Sequence, residues 1–107
     1  MDTLTSTLRD KEAGNILILD MSQTSMITDY FVICTANSTV HMKALLETTC
    51  DFAHDGGYKL IYADKQVKGD WALVDMGEIV VHIFSEKGRA FYALEELWRE
   101  ADRINLI

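Results

Sequence analysis

Five segments of the chain combine apolar residues with the short length and the β-branched or aromatic content that is typical of strands. They are residues 15–21, 29–35, 58–63, 71–75 and 78–84. In residues 15–21 both alternating faces are apolar, which predicts a strand that is covered on both sides. The short connection through Met76 and Gly77 predicts a hairpin between the last two strands.

Three other segments show the spacing of a helix. Residues 3–12 predict a short opening helix with Leu4 and Leu8 on one face. A longer helix runs from a cap at Asn37 or Ser38 to about residue 55, where two glycines end it. Its predicted buried stripe consists of Met42, Leu45, Leu46, Thr49 and Ala53.

A last helix is predicted from about residue 87. Its apolar stripe carries Phe91, Leu94, Trp98 and Ala101. With this helix the chain predicts one α/β domain, residues 1–107, with a mixed five-stranded sheet and packed helices. The long helix makes a βαβ crossover from the second strand to the third, and the other strand pairs are expected to be antiparallel. Residues 22–29 are polar and are predicted to form a loop.

Charge and composition narrow the function classes. The chain has 10 basic and 17 acidic residues, a net charge of −7, and no basic cluster, so little direct contact with nucleic acid is expected. No secretory signal and no apolar run of membrane-spanning length are present, which predicts a cytoplasmic protein without a membrane partner. Cys34 and Cys50 lie in apolar segments without ligand spacing and are predicted to pack as apolar residues.

Chemically active residues are few, and each has two readings. His82, central in its strand, is either a half-buried histidine bonded to a neighbour or part of a binding surface. Trp71, which follows a polar stretch, is either a core residue or an interface anchor. Asp20, Asp29 and Asp75 end strands, where aspartates serve turns or bind Mg²⁺. No D-x-D pair or phosphate loop accompanies them.

Four sequence segments, taken together, resemble the motifs of the ribosomal silencing factor (Iojap-like) family. They are ILDMS (18–22), ITDYFVICTANS (27–38), GDWALVDMGEIVVHIF (69–84) and RAFYALEELW (89–98). They follow the family's order and spacing and extend over about residues 15–98. The resemblance implies a topology like that of nucleotidyltransferases without their catalytic site, and therefore no enzyme activity, cofactor or metal.

The resemblance also implies a function and a partner. Family members bind the fourteenth protein of the large ribosomal subunit and sterically block subunit joining, which represses translation; organellar relatives assist large-subunit assembly. Relatives often form homodimers off the ribosome. The alternatives that remain are a Mg²⁺-dependent nucleotidyltransferase and an RNA-binding module.

Motif positions carried over from the family define the expected partner-binding residues. Alternation places Trp71, Leu73 and Asp75 on one strand face, with Trp71 as apolar anchor and Asp75 facing a basic residue of the partner. The other candidates, some of which serve either the partner or the fold, are His82, Asp29, Tyr30, Arg89, Tyr92 and Glu95. Tyr92 and Glu95 are expected on one side of the last helix.

Overall fold

Strands and helices follow the predicted order up to the fifth strand; two short helices then stand in place of the one predicted, and a sixth strand follows. The computed structural model describes residues 2–24 and 28–104, so residues 25–27 of the predicted loop lie outside the described part. The elements are α1 (Asp2–Asp10), β1 (Gly14–Asp20), β2 (Tyr30–Ala36), α2 (Thr39–Asp55), β3 (Tyr62–Ala63), β4 (Trp71–Asp75), β5 (Ile79–Ser85), α3 (Glu86–Tyr92), α4 (Leu94–Leu97) and β6 (Asp102–Ile104).

The strands form a mixed sheet in the order β3-β4-β5-β2-β1-β6. Neighbouring strands are antiparallel except β2 and β5, which are parallel. The predicted mixed α/β sheet is confirmed, with six strands instead of five. The sequence does not predict β6, because Asp102 and Arg103 are exposed and polar and leave this edge strand without an apolar alternation.

The predicted crossover from the second strand to the third has the right strand orientation but does not join neighbouring strands. The strand orientations make β2 and β3 parallel, but β4 and β5 lie between them. The third strand is also shorter than the predicted residues 58–63, since it pairs only at Tyr62 and Ala63. Residues Ile79 to Phe84 of β5 are all buried, so β5 occupies the centre of the sheet and the short β3 an edge.

Apolar layers cover both faces of the sheet. On the first face, α1 and α2 pack through Leu4, Leu8 and Leu45 against residues such as Val81. The second layer consists of Leu19, Met21, Ile33, Phe84, Leu94 and Ala101. The prediction that residues 15–21 are covered on both sides is confirmed, because Ile18 belongs to the first layer and Leu19 to the second.

Helix α2 agrees with its prediction at its start and along its stripe, but of the two glycines expected to end it in the left-handed conformation Gly56 is right-handed (φ −84°). The Ser38 hydroxyl caps it by accepting the His41 N–H at 3.0 Å. After its end, Gly57 adopts a left-handed conformation, with φ +74°. All five predicted stripe residues are buried: Met42, Leu45, Leu46, Thr49 and Ala53. None of the helices within residues 2–24 and 28–104 has the length and apolar character to span a bilayer.

The last predicted helix is broken. Ala93 is left-handed (φ 45°, ψ 48°) and separates α3 from α4, which ends at Leu97. The break turns Leu94 into the second layer, whereas Phe91 is 77% exposed, so its predicted place in a buried stripe is wrong. Tyr92 lies in α3 and Glu95 in α4, on either side of the break, so the expectation that they share one side of a single helix is wrong.

Helix α3 approaches the start of β4 so closely that only glycine fits at position 88. A Cβ there would overlap the Asp70 carbonyl oxygen and lie 2.7 Å from the Asp70 Cβ. We expect Gly88→Ala to lower the free energy of unfolding by about 1–3 kcal/mol, because helix and strand must separate. Urea denaturation measures this.

Gly14→Ala is the matched control, because a Cβ at position 14 meets its nearest atom, the Thr35 carbonyl oxygen, at an ordinary 3.5 Å. We expect the control to change stability by less than about 1 kcal/mol. Equal losses in the two variants would contradict the close-approach explanation for Gly88.

Candidate functional site

An open groove of about 570 Å³ lies on the second face, beside the edge formed by β3 and β4. Helix α3 supplies one wall, β4 the floor, and the connection before β4 the other wall. Its lining residues are Tyr62, Asp64, Lys68, Gly69, Asp70, Trp71, Leu73 and Tyr92. Three of the predicted partner-binding residues, Trp71, Leu73 and Tyr92, are therefore brought together.

Trp71 is both packed against the core and accessible in the groove, so it has features of both predicted roles, core residue and interface residue. Its indole packs on the second layer, with ring centroids 4.9 Å from Phe84 and 4.8 Å from Tyr92, yet it is only partly buried and lines the groove. Tyr92 is 47% exposed, and its ring lies beside both the indole and the Phe84 ring, the latter 6.0 Å away between centroids. The groove therefore presents two adjacent aromatic rings that the core holds from beneath.

His82 lies beneath these rings and is 5% exposed. Its Nδ1 accepts the indole N–H of Trp71 at 3.1 Å, and the ring of Phe31 stands edge-on at 4.5 Å. Burial lowers the pKa of His82 to about 4, so the imidazole is neutral near pH 7. The reading of His82 as a buried histidine bonded to a neighbour agrees with this geometry. Within the described residues, its Nε2 makes no hydrogen bond.

Asp64 and Asp70, which were not among the predicted site residues, lie on the polar wall of the groove and accept hydrogen bonds there. Asp64 accepts the Tyr62 hydroxyl at 2.6 Å through Oδ1 and the Leu73 N–H at 2.7 Å through Oδ2. The hydrogen bond to Asp64, reinforced by its negative charge, raises the pKa of Tyr62. Asp70 accepts the Ser85 hydroxyl at 2.8 Å. The polar stretch before Trp71 is the sequence signal that could have identified these residues.

Three other predicted residues lie at the opposite end of β4. Asp75 is opposite Val80, whereas Trp71 is opposite Phe84, so about 13 Å of strand separates Asp75 from Trp71. Asp29 and Tyr30 lie at this same end, where both donate their N–H to the Glu78 carbonyl. Asp29 is exposed and Tyr30 is partly buried against the first layer.

Two of the three strand-end aspartates, Asp75 and Asp20, take part in turns. The Asp75 carboxylate accepts the Gly77 N–H at 2.9 Å in the hairpin turn. Asp20 accepts the backbone N–H and hydroxyl of Ser22, and these bonds lower the pKa of Asp20. In the described part of the chain, no group of three His, Cys, Asp or Glu side chains is arranged to hold a metal ion.

Arg89 and Glu95 form a clamp that spans the helix break. Arg89 Nε donates to Glu95 at 2.8 Å, while Nη1 donates to the Asn15 carbonyl at 3.0 Å and to the Thr35 hydroxyl at 2.9 Å. Burial raises the pKa of Glu95, but the Arg89 hydrogen bond and nearby positive charges outweigh it and leave a net lowering. The clamp ties the segment that carries Tyr92 to β1 and β2.

The fold and the groove define a small α/β protein with a pair of adjacent aromatic rings in a groove at one sheet edge. The whole chain, residues 1–107, matches the family model described as "Ribosomal silencing factor during starvation". The ribosomal silencing factor of Bacillus subtilis is 38% identical over 97 residues, which cover 91% of this chain and 82% of that protein. The chain therefore belongs to the ribosomal silencing factor family.

Solved structures and organellar relatives agree with this assignment. A crystal structure from Bacillus halodurans is 30% identical with a TM-score of 0.84, over 98% of this chain and 95% of that chain. The maize chloroplast protein Iojap is 34% identical over 89% of this chain and 41% of that protein. A mouse protein named for mitochondrial assembly of the large ribosomal subunit is 33% identical, over 92% of this chain and 44% of that protein.

Stability should depend on pH through His82. Because the folded-state pKa, about 4, is below the ordinary 6.5, the unfolded chain takes up a proton that the folded protein excludes. The folded protein is therefore most stable above the pKa that His82 has in the unfolded chain. Its free energy of unfolding falls as the pH drops from that value toward the lower pKa of His82 in the folded protein. Between pH 7 and pH 5 we expect a loss of about 2 kcal/mol in the free energy of unfolding, measured by urea denaturation.

His82→Asn removes the titrating group, so its stability should change less over this pH range. His54→Gln serves as the control, because His54 is exposed and its replacement should leave the wild-type pH dependence in place. A decline in His82→Asn as steep as in the wild type would assign the effect to other groups.

The clamp should contribute measurably to stability. Arg89→Lys retains the charge, but an ammonium cannot reproduce the planar fork that reaches Glu95, Asn15 and Thr35 together. We expect the free energy of unfolding to fall by about 1–3 kcal/mol in urea denaturation. Arg99→Lys, at an exposed position, should change it by less than about 0.5 kcal/mol. Equal effects would rule out the clamp.

Proposed function

We propose that this protein binds the large ribosomal subunit by contacting the fourteenth protein of that subunit. Once bound, it sterically blocks joining of the two subunits and so represses translation. Membership in a family named for ribosomal silencing supports a ribosomal target. The mouse relative is named for assembly of the large subunit, which supports the choice of that subunit.

The observation that carries the proposal is the exposed aromatic pair in the groove. Trp71 and Tyr92 lie 4.8 Å apart between ring centroids, with the 47% exposed Tyr92 at the surface and Leu73 beside them on the floor. Tryptophan and tyrosine are enriched among the residues that dominate protein–protein binding energy. Such a pair, held from beneath by core residues, is ready to contact a partner without reorganisation.

Charge favours a basic protein over RNA as the direct contact. The net charge of −7 opposes binding to phosphates, which requires a basic face. It complements a basic ribosomal protein and would raise the rate of encounter more than the final affinity. In this proposal Asp75, at the hairpin end of β4, faces a lysine or arginine of the partner.

The proposed mechanism is steric and involves no reaction. A protein with principal extents of 34 × 33 × 27 Å is large enough to keep two surfaces apart wherever it is seated between them. Its action then depends on affinity and on the position of the bound surface. The homodimer implied by the resemblance remains a prediction for the free protein.

A second candidate role is assistance in large-subunit assembly, and the name of the mouse relative is the observation that favours it. The two roles share the same docking step and differ in its timing. Silencing acts on mature subunits, whereas assembly acts on immature particles. Depletion of the protein separates them, because only the assembly role predicts accumulation of immature large subunits.

Cosedimentation with separated large and small subunits tests the proposal. We expect the wild-type protein to sediment with large subunits and to reduce the joined particles as its concentration rises. Trp71→Ala and Tyr92→Ala should each weaken binding by about 30-fold, which corresponds to roughly 2 kcal/mol for an interface anchor.

Val40→Ala is the matched control, because Val40 is 80% exposed but lies on α2, which covers the other face of the sheet. Its binding should equal that of the wild type, and circular dichroism should show all three variants folded. Binding of the wild type to small subunits, or equal binding by folded Trp71→Ala, would refute the proposal.

A further inference from the structure

The contacts of Trp71 differ in how much they specify its orientation. The rings of Phe84 and Tyr92, 4.9 and 4.8 Å away, hold the plane of the indole by packing. Packing between rings is tolerant of which edge of the indole faces inward. The hydrogen bond from Nε1 to His82 is not tolerant, because it requires the pyrrole edge to point at one buried atom.

Sheet register makes this bond possible. Trp71 is opposite Phe84 and Leu73 is opposite His82, so Trp71 and His82 are diagonal neighbours on one face of an antiparallel pair. His82 accepts at Nδ1 only if that nitrogen carries no proton, and the neutral imidazole then has its proton on Nε2. The centre of β5 thus presents one acceptor at the inner edge of the groove.

We infer that His82 is a positioning residue, which turns the indole N–H of Trp71 inward. The side of Trp71 that faces the groove then presents no unpaired hydrogen-bond donor to a partner. At 5% exposure His82 does not itself form the surface that a partner meets. The inference deepens the proposed function and rests on the groove being the docking site.

The inference defines the chemistry of the partner opposite Trp71. A surface tryptophan usually offers an N–H that a partner must bond or leave unpaired at a cost in free energy. Here the bond is made inside the protein, so the partner needs no acceptor at this point. An apolar side chain or a flat group that stacks on the indole face is the surface that fits.

Two substitutions at position 82 separate positioning from packing. In His82→Asn the amide oxygen occupies about the position of Nδ1, whereas His82→Leu fills a similar space without an acceptor. We expect His82→Leu to bind large subunits about fivefold more weakly, which is the size of one net hydrogen bond, and His82→Asn to restore affinity to within about twofold.

Nuclear magnetic resonance reports the orientation of the indole directly. The protein has two tryptophans, so Trp71→Phe assigns the indole N–H signals. In the wild type we expect slow hydrogen exchange at the Trp71 indole and a scalar coupling between its Nε1 and His82 Nδ1. His82→Leu should lose the slow exchange and His82→Asn should retain it. Absence of the coupling in the wild type would overturn the inference without any variant.

Binding measurements in a Trp71→Phe background complete the test. If His82 acts through the indole N–H, adding His82→Leu to Trp71→Phe should not weaken binding further. A further loss would show that His82 acts through the fold and would overturn the inference, as would full binding by His82→Leu with an altered indole signal. Failure of the wild type to bind large subunits would refute the proposed function, while the coupling still decides how Trp71 is oriented.

Discussion

Burial of β5 on both faces is the constraint on which the rest of the structure depends. Every residue from Ile79 to Phe84 is buried, so the strand requires a neighbour on each edge and an apolar layer above and below. The parallel neighbour β2 and the antiparallel neighbour β4 satisfy its backbone. The same burial makes His82 a neutral imidazole, and its only nearby polar partner among the described contacts is Trp71.

The groove exists because the second layer is smaller than the sheet. Helices α1 and α2 extend over the first face, whereas the second is covered by the short helices α3 and α4, which turn at Ala93. The Arg89–Glu95 clamp holds this turn on β1 and β2. Coverage therefore stops short of the β3 edge, and the aromatic rings of Trp71 and Tyr92 remain at the surface.

This arrangement suits a family named for a regulatory action on the ribosome. The polar atoms of the groove wall are largely engaged within the protein, as the two bonds accepted by Asp64 and the one accepted by Asp70 illustrate. Such internal bonding stiffens a surface and reduces the ordering that association would otherwise require. These bonds fix the positions of Asp64 and Asp70 beside the aromatic rings.

Sequence by itself determined the family and most of the secondary elements, because periodicity and motifs are local. The stripe of α2, the two apolar faces of β1 and the hairpin at Gly77 follow from residues close together in the chain. Tertiary structure alone decided the parallel pairing of β2 with β5, the edge strand β6 and the break at Ala93. It also joined Asp64 to Leu73 and His82 to Trp71. Those features depend on contacts between different elements of the fold, where burial and backbone pairing outweigh local pattern.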